Sequence, residues 1–212
     1  MAKGIKTIHD RINRAIRKGQ TGYFSPTDID EEINAEILNM WRKYVVQFEK
    51  ERIINIYLNP FIKTEDVTPN PSDGSVTLPN AYSYPVSIRV KATGKEIDEL
   101  DQARWDIRIN HPIEIPNSDY PICKFESKKV FVRPINIGEI TISYIKKPAK
   151  AVFAYSIVND RPAYQDGPSV DVEFDEILHD DIVNRVLRNL GVPMREELLI
   201  REGQQNKMEE GS

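Results

Sequence analysis

The chain has 212 residues, of which 40% are hydrophobic and 29% charged, and its net charge is −4. That length holds one domain with a real core, or one domain carrying an insertion, and the balance excludes overall disorder and argues against a surface that grips nucleic acid everywhere through its phosphates. The single cysteine, Cys123, excludes an intramolecular disulfide and a cysteine-built metal site, in keeping with a reducing compartment.

The first predicted element is an amphipathic helix. Ile5, Ile8, Ile12, Ala15 and Ile16 recur at helical spacing, and Arg17, Lys18 and Gly19 form a C-terminal stop. The start lacks an apolar stretch of signal-peptide length, which argues against secretion. No run in the chain approaches the roughly 18 apolar residues of a membrane span. The helix has the basic charge to lie on a membrane surface. Packing on its own protein is the plainer expectation, with no membrane partner.

A second helix opens at SPTDIDEE. Ser25 suits the N-cap, Pro26 the first helical position and Asp28 the acid of a capping box. Asp30, Glu31 and Glu32 add negative charge at the helix start. Apolar residues follow at Ile29, Ile33, Ile37, Met40, Trp41, Tyr44, Val45 and Phe48, so the helix is expected to reach residue 52 or even Tyr57, with Pro60 closing the region.

The middle of the chain changes in kind. Short β-type runs at 76–79, 86–90, 120–127, 129–134 and 139–146 alternate with turn signals. The stretch 68–74 is loop by composition. Gly138 suits the connection at 135–138. ELDQARWDIR (99–108) reads as one short helix with Leu100, Ala103 and Ile107 on its inner side.

A last helix is predicted from Asp175, with Leu178, Ile182, Val186 and Leu190 in one row beside Val183 and Leu187. Gly191 and Pro193 stop it. A short helix can restart at Met194 and bury Leu198 and Leu199, ahead of a polar tail. The expected fold is therefore α+β. Residues 1–66 and 171–200 form a helical bundle, 67–147 an inserted antiparallel sandwich- or barrel-like β-domain, 148–170 an extended arm, and 201–212 a polar tail.

The search for chemistry finds little. Glu176 and His179 have the Glu-x-x-His spacing of bundle-type di-iron sites. The only other helical histidine, His9, has Lys6 rather than a glutamate three residues earlier. His111 falls in a loop. Cys123 sits in an apparent strand, where a buried structural thiol is expected. No nucleophile elbow or phosphate loop is present, and DIDEE lacks the spacing and glycine of a calcium loop. No catalytic residue, cofactor or metal site is assigned. Lys128, Lys129, Arg133, Lys146, Lys147 and Lys150, with Phe125, Phe131 and Tyr144 among them, could form a base-stacking surface. Strand alternation argues against it, because Phe131 and Arg133 would share one face of KVFVRP and Val130 and Val132 the other.

Two stretches together resemble a known family. They are GQTGYFSPTDIDEEINAEILNMW (19–41), and ITISYIKKPAKAVFAY with RPAYQDGPSVDVEFDEILHDDIVNRVLRNLGV (161–192). Their order is similar to that of head–tail connector ring proteins of short-tailed bacteriophages, especially crAss-like phages. There a TGY-x-SP entry opens a long helix, a strand ends in Y-I-x-K-P, and a V-D-x-E-F strand leads into a helix that stops at GV. VTLPNAYSYPVSIRV (76–90) resembles the start of the β-domain in such proteins. The resemblance implies a non-enzymatic virion protein, made in the host bacterial cytoplasm and placed at the head–tail junction. It would be a homo-oligomeric, twelvefold ring between the portal and the tail, with DNA passing through its lumen unread. Acidic residues of DIDEE or DEILHDD would suit such a lumen. A ring closed by rotation needs two different contact faces on each subunit. Residues 148–168 supply a long connection rich in apolar side chains: Phe153, Tyr155, Ile157, Val158 and Tyr164. With Leu198, Leu199 and Ile200 these are the expected partner contacts, and the arm covers either its own subunit or the next. The alternatives are a tail-tube or head-completion ring protein further from the portal, and a small nucleic-acid-binding module using the lysine-rich β-face.

Overall fold

A computed structural model describes residues 4–19, 23–48, 50–159 and 161–192. The protein is α+β, with five α-helices and nine strands among the described residues. It divides into two compact units, Met1–Pro60 with Pro148–Ser212, and Phe61–Lys147.

The first unit is built on helices α1 (Gly4–Gly19), α2 (Pro26–Gln47), α3 (Arg52–Leu58) and α5 (His179–Asn189). Helix α1 follows its isoleucine pattern. Ile5, Ile8 and Ile12 are fully buried, and each contributes about 1.5–3 kcal/mol of burial. Its first amides are capped from far along the chain: Gly4 N and Ile5 N donate to the Asp171 carboxylate at 3.1 and 2.6 Å. A Cβ on Gly4 would stand 2.7 Å from Asp171 Oδ1 and 2.8 Å from His179 Cε1, so glycine permits this close approach.

Helix α2 starts with the expected capping box. Asp28 N donates to Ser25 Oγ at 3.2 Å, and Ser25 N donates to Asp28 Oδ2 at 2.9 Å. The two Ser25 groups hold the Asp28 carboxyl below the usual carboxylate range. The helix is shorter than its pattern predicts. Phe48 leaves helical geometry (φ −55°, ψ 140°), and α3 is a separate helix. No glycine or proline marks the break. It brings the Tyr57 ring within 5.6 Å of Tyr44, whereas thirteen residues of unbroken helix would separate them by about 20 Å. Phe174 meets Tyr44 edge-on from the other chain segment.

A 3₁₀ turn at Glu176–Leu178 leads into α5, which buries Ile182, Val183, Val186 and Leu187. It closes in a Schellman motif: Val192 N donates to Leu187 O, Gly191 N donates to Arg188 O, and Gly191 has φ +70°. Both α1 and α2 pack on α5. Arg11 pairs with Asp180, and Asn189 Nδ2 donates to Glu32 and Glu36 at 3.2 and 3.0 Å. The expected strand in VDVEF does not form. Only Val170 pairs there, in a single bridge to Val152. Asp171 is drawn off instead to cap α1.

The second unit contains strands β1 (Ile62–Val67), β2 (Ser75–Thr77), β3 (Tyr82–Val90), β4 (Asp98–Glu99), β5 (Ile122–Glu126), β6 (Lys129–Arg133) and β7 (Ile140–Lys146), with helix α4 (Gln102–Ile109). One sheet has the order β1-β7-β3 and the other β2-β6-β5-β4. Both contribute to one apolar cluster, with Ile88, Val90, Ile140, Ile142 and Tyr144 from the first and Val76, Cys123, Val130 and Val132 from the second.

Three expectations are corrected here. Residues 62–67 are a strand, so this unit begins at Phe61 and not at residue 67; the strand carries Lys63, Glu65 and Asp66 on an exposed edge and has no apolar alternation to reveal it. The sheets are not wholly antiparallel, because β4 pairs with β5 in parallel. Helix α4 is capped by Asp101 and buries Trp105, while Ala103 and Ile107 are exposed. The Trp105 indole draws two cations, Lys124 and Arg133, over its ring at 5.5 and 5.6 Å.

Candidate functional site: the anchored hairpin of residues 148–170

The connection expected as an extended arm folds back on itself. Strands β8 (Tyr155–Val158) and β9 (Arg161–Tyr164) pair antiparallel as a hairpin turning at Asn159, whose φ is +50°. Apolar residues at alternate positions favour a strand, but Pro162 obscures the second half of the pattern.

The base of the hairpin is fixed to α2 by side chains that meet its backbone. Asn34 Nδ2 donates to Ala151 O, and Ala151 N donates to Asn34 Oδ1, both at 2.8 Å. One turn earlier, Asp30 takes two hydrogen bonds. Phe153 N donates to Oδ2 at 2.9 Å, and His9 Nε2 lies 2.7 Å from Oδ1. The Phe153 ring stacks on the fully buried His9 at 4.2 Å and meets Tyr164 at 5.0 Å. Ala154 N donates to Ser169 Oγ, and Val152 and Val170 exchange backbone bonds at the exit. An isolated two-stranded hairpin is marginal in water. Here the base amides of Ala151, Val152, Phe153, Ala154 and Gln165 all have partners.

Anchoring sorts the expected contact residues into two groups. Phe153 and Tyr164 turn inward and pack within their own chain. Tyr155, Ile157 and Val158 point out, with 36%, 63% and 52% of their surface exposed. Leu198, Leu199 and Ile200 lie outside the described residues. Beside the hairpin base opens a cleft of about 780 Å³, lined by Thr27, Asp30 and Glu31 of α2 and by Phe153, Ala154 and Tyr155. Sequence patterns did not single out the anchors Asn34, Asp30 and Asp171. The available signal was Asn34 itself, a poor helix former in the middle of a long helix.

Other candidates resolve into structural roles. His179 is buried, with Nε2 3.0 Å from Phe174 O. His111 Nδ1 accepts from Glu114 N at 2.8 Å and shapes its own loop. Burial pushes the Cys123 thiol up to about 12, helped by Glu99 and Asp98. Among the described residues, no three His, Cys, Asp or Glu side chains stand together as a metal would require. No helix among them is long and apolar enough to cross a membrane.

The aromatic members of the proposed base-stacking surface are engaged elsewhere. Tyr144 is buried, and its hydroxyl donates to Glu65 at 2.8 Å. Phe125 stacks on Tyr82, and Lys124 covers the Phe131 ring. Val130 and Val132 are both fully buried, on the opposite face from Phe131 and Arg133. The acids expected to line a lumen are also partly committed: Asp28 to the cap, Asp30 to the hairpin, Glu32 to Asn189 and Asp180 to Arg11. Compared with known protein families and with curated proteins, the chain matches none.

Proposed function

We propose that this chain is a structural virion protein, a subunit of an oligomeric head–tail connector ring that joins the portal to the tail and extends the DNA channel. Its architecture in this reading is a bundle of N- and C-terminal helices with an inserted two-sheet domain. The carrying observation is the anchored hairpin. Asn34, Asp30 and His9 fix its base, while Tyr155, Ile157 and Val158 remain exposed along β8. Isolated exposed apolar residues need no explanation, but three held together on a rigid projection suit a contact with another chain. The order of helices, β-unit, long connection and closing helix is also the order the connector resemblance implies, though the resemblance implies an extended arm where the hairpin stands.

A ring of this kind works mechanically. Head-to-tail contacts close by rotation and leave a central channel, so no reactive centre is required. The test is the mass of the purified protein in solution, alone and mixed with a portal, with negative-stain images of any assembly. A closed ring in either condition is the expected result. A protein that stays monomeric in both overturns the reading.

A further inference from the structure

We propose that the outer edge of β8 is a self-complementary pairing edge, on which a second copy of this chain docks its own β8 antiparallel about a two-fold axis. The proposal goes beyond the ring reading and does not rest on it. It begins with the hydrogen-bond phase of the hairpin. Gln165 N donates to Ala154 O, so the bonded pairs are 154 with 165, Ser156 with Ala163, and Val158 with Arg161. Tyr155 and Ile157 fall between them and turn their N–H and C=O groups away from β9. On β8 those groups lie along an edge free of charge and proline. On β9 the corresponding edge carries Pro162, which has no N–H to give.

The other described strand edges are protected. Strand β1 lines its edge with Lys63, Glu65 and Asp66. Strand β3 contains Pro85 and two register shifts, and residues 95–97 cover its far end through bonds to Ile88 and Val90. Strands β2 and β4 have three and two residues. These are the usual defences against edge pairing; β8, with four residues, is short but carries no charge, proline or register shift. Among the described strands, the partner left for β8 of one copy is β8 of another.

Centred on Ser156, the register sets Tyr155 opposite Ile157 of the second copy, and Ile157 opposite Tyr155. Each pair can exchange two backbone bonds, and the tyrosine and isoleucine lie on one face as cross-strand neighbours. Val158 then faces Ala154, and the turn at Asn159 reaches the mouth of the cleft beside Asp30. Exposed Arg161 follows that turn, and Glu31 is an exposed residue of the cleft lining. So short an edge buries far less than a standard interface, which makes the pair weak and concentration-dependent.

Ser156 meets its own symmetry mate at a non-hydrogen-bonded position, close enough for a disulfide. The Ser156→Cys protein should therefore form a covalent dimer on mild oxidation, well ahead of an Ile177→Cys control, even though residue 177 is the more exposed of the two. Native Cys123 is buried and does not compete. Adding Ile157→Pro should abolish the dimer, and Ile157→Thr should leave it. A ring contact is heterologous and does not bring residue 156 against itself, so the two readings fail separately. Crosslinking no faster than the Ile177→Cys control, or unchanged by Ile157→Pro in a protein with native circular dichroism, overturns the proposal. If Ser156→Cys does not fold, sedimentation equilibrium of the unmodified chain replaces it. A dimer fraction that rises with concentration and is lost in Ile157→Pro supports the pairing, and equal behaviour of the two proteins overturns it.

Discussion

Asn34 and Ala151 exchange two hydrogen bonds of 2.8 Å although 117 positions separate them in sequence. A side-chain amide here imitates a strand partner, giving one donor and one acceptor to a backbone that would otherwise be buried unpaired against α2. Ala151 itself is 1% exposed. The relationship decides that the segment after β7 returns to the helical unit rather than leaving it.

Replacing Asn34 with alanine should therefore cost about 1–3 kcal/mol, because Ala151 keeps its burial and loses both partners. Denaturant unfolding measures the loss. Hydrogen exchange should show the Ala151 and Phe153 amides losing protection before those of α5. Unchanged exchange at both amides would mean that the hairpin is held by its ring contacts alone.

Phe153→Ala removes the ring held between His9 and Tyr164. The residue is half-buried, so a loss of about 2 kcal/mol is expected, below the range for a fully buried phenylalanine. The β-unit should be untouched. Thermal unfolding with probes in each unit separates the effects.

Gly4→Ala places a methyl group against the Asp171 carboxylate and His179. Either the cap or the helix start must shift, and a loss of about 1 kcal/mol is expected, similar to removing an ordinary N-cap. Asp171→Ala should produce a comparable loss, and the double variant should lose little more than either single one. Full additivity would show that glycine and cap act separately.

Cys123 provides the pH prediction. Its folded value is raised to about 12 from 9.0, so its contribution is complete below pH 9 and is lost as pH rises through the interval between them. Burial raises Tyr144 to about 12 in the same sense, with the Glu65 hydrogen bond adding to it. Stability should therefore fall on the alkaline side. At pH 8 the thiol should resist a disulfide reagent until denaturant is added. Rapid labelling of the folded protein would contradict its burial.

Acid should act through a different set. Asp66 is held low by Thr141 and Lys91, Asp73 by Ser75, and Asp180 by Arg11. Each contributes stability present above the ordinary carboxylate value and lost as pH falls through the lowered one. Arg11→Ala should reduce the acid sensitivity of the helical unit and change stability at neutral pH only slightly, since the pair is exposed.

The sequence by itself determined the parts whose signals are local. The isoleucine row of α1, the capping box at Ser25 and the Gly191 stop follow from periodicity and backbone chemistry within a few residues. The alternation in KVFVR likewise sets which side of β6 is buried. Tertiary structure decided what depends on distant partners. The α2–α3 break lets Tyr57 reach Tyr44, and β1 is a strand because β7 pairs with it despite its charges. The hairpin follows the same logic. Its apolar residues were legible, but their division between an inward pair and an exposed edge was not. Asn34, Asp30 and His9 make that division, through contacts that no short window of sequence contains.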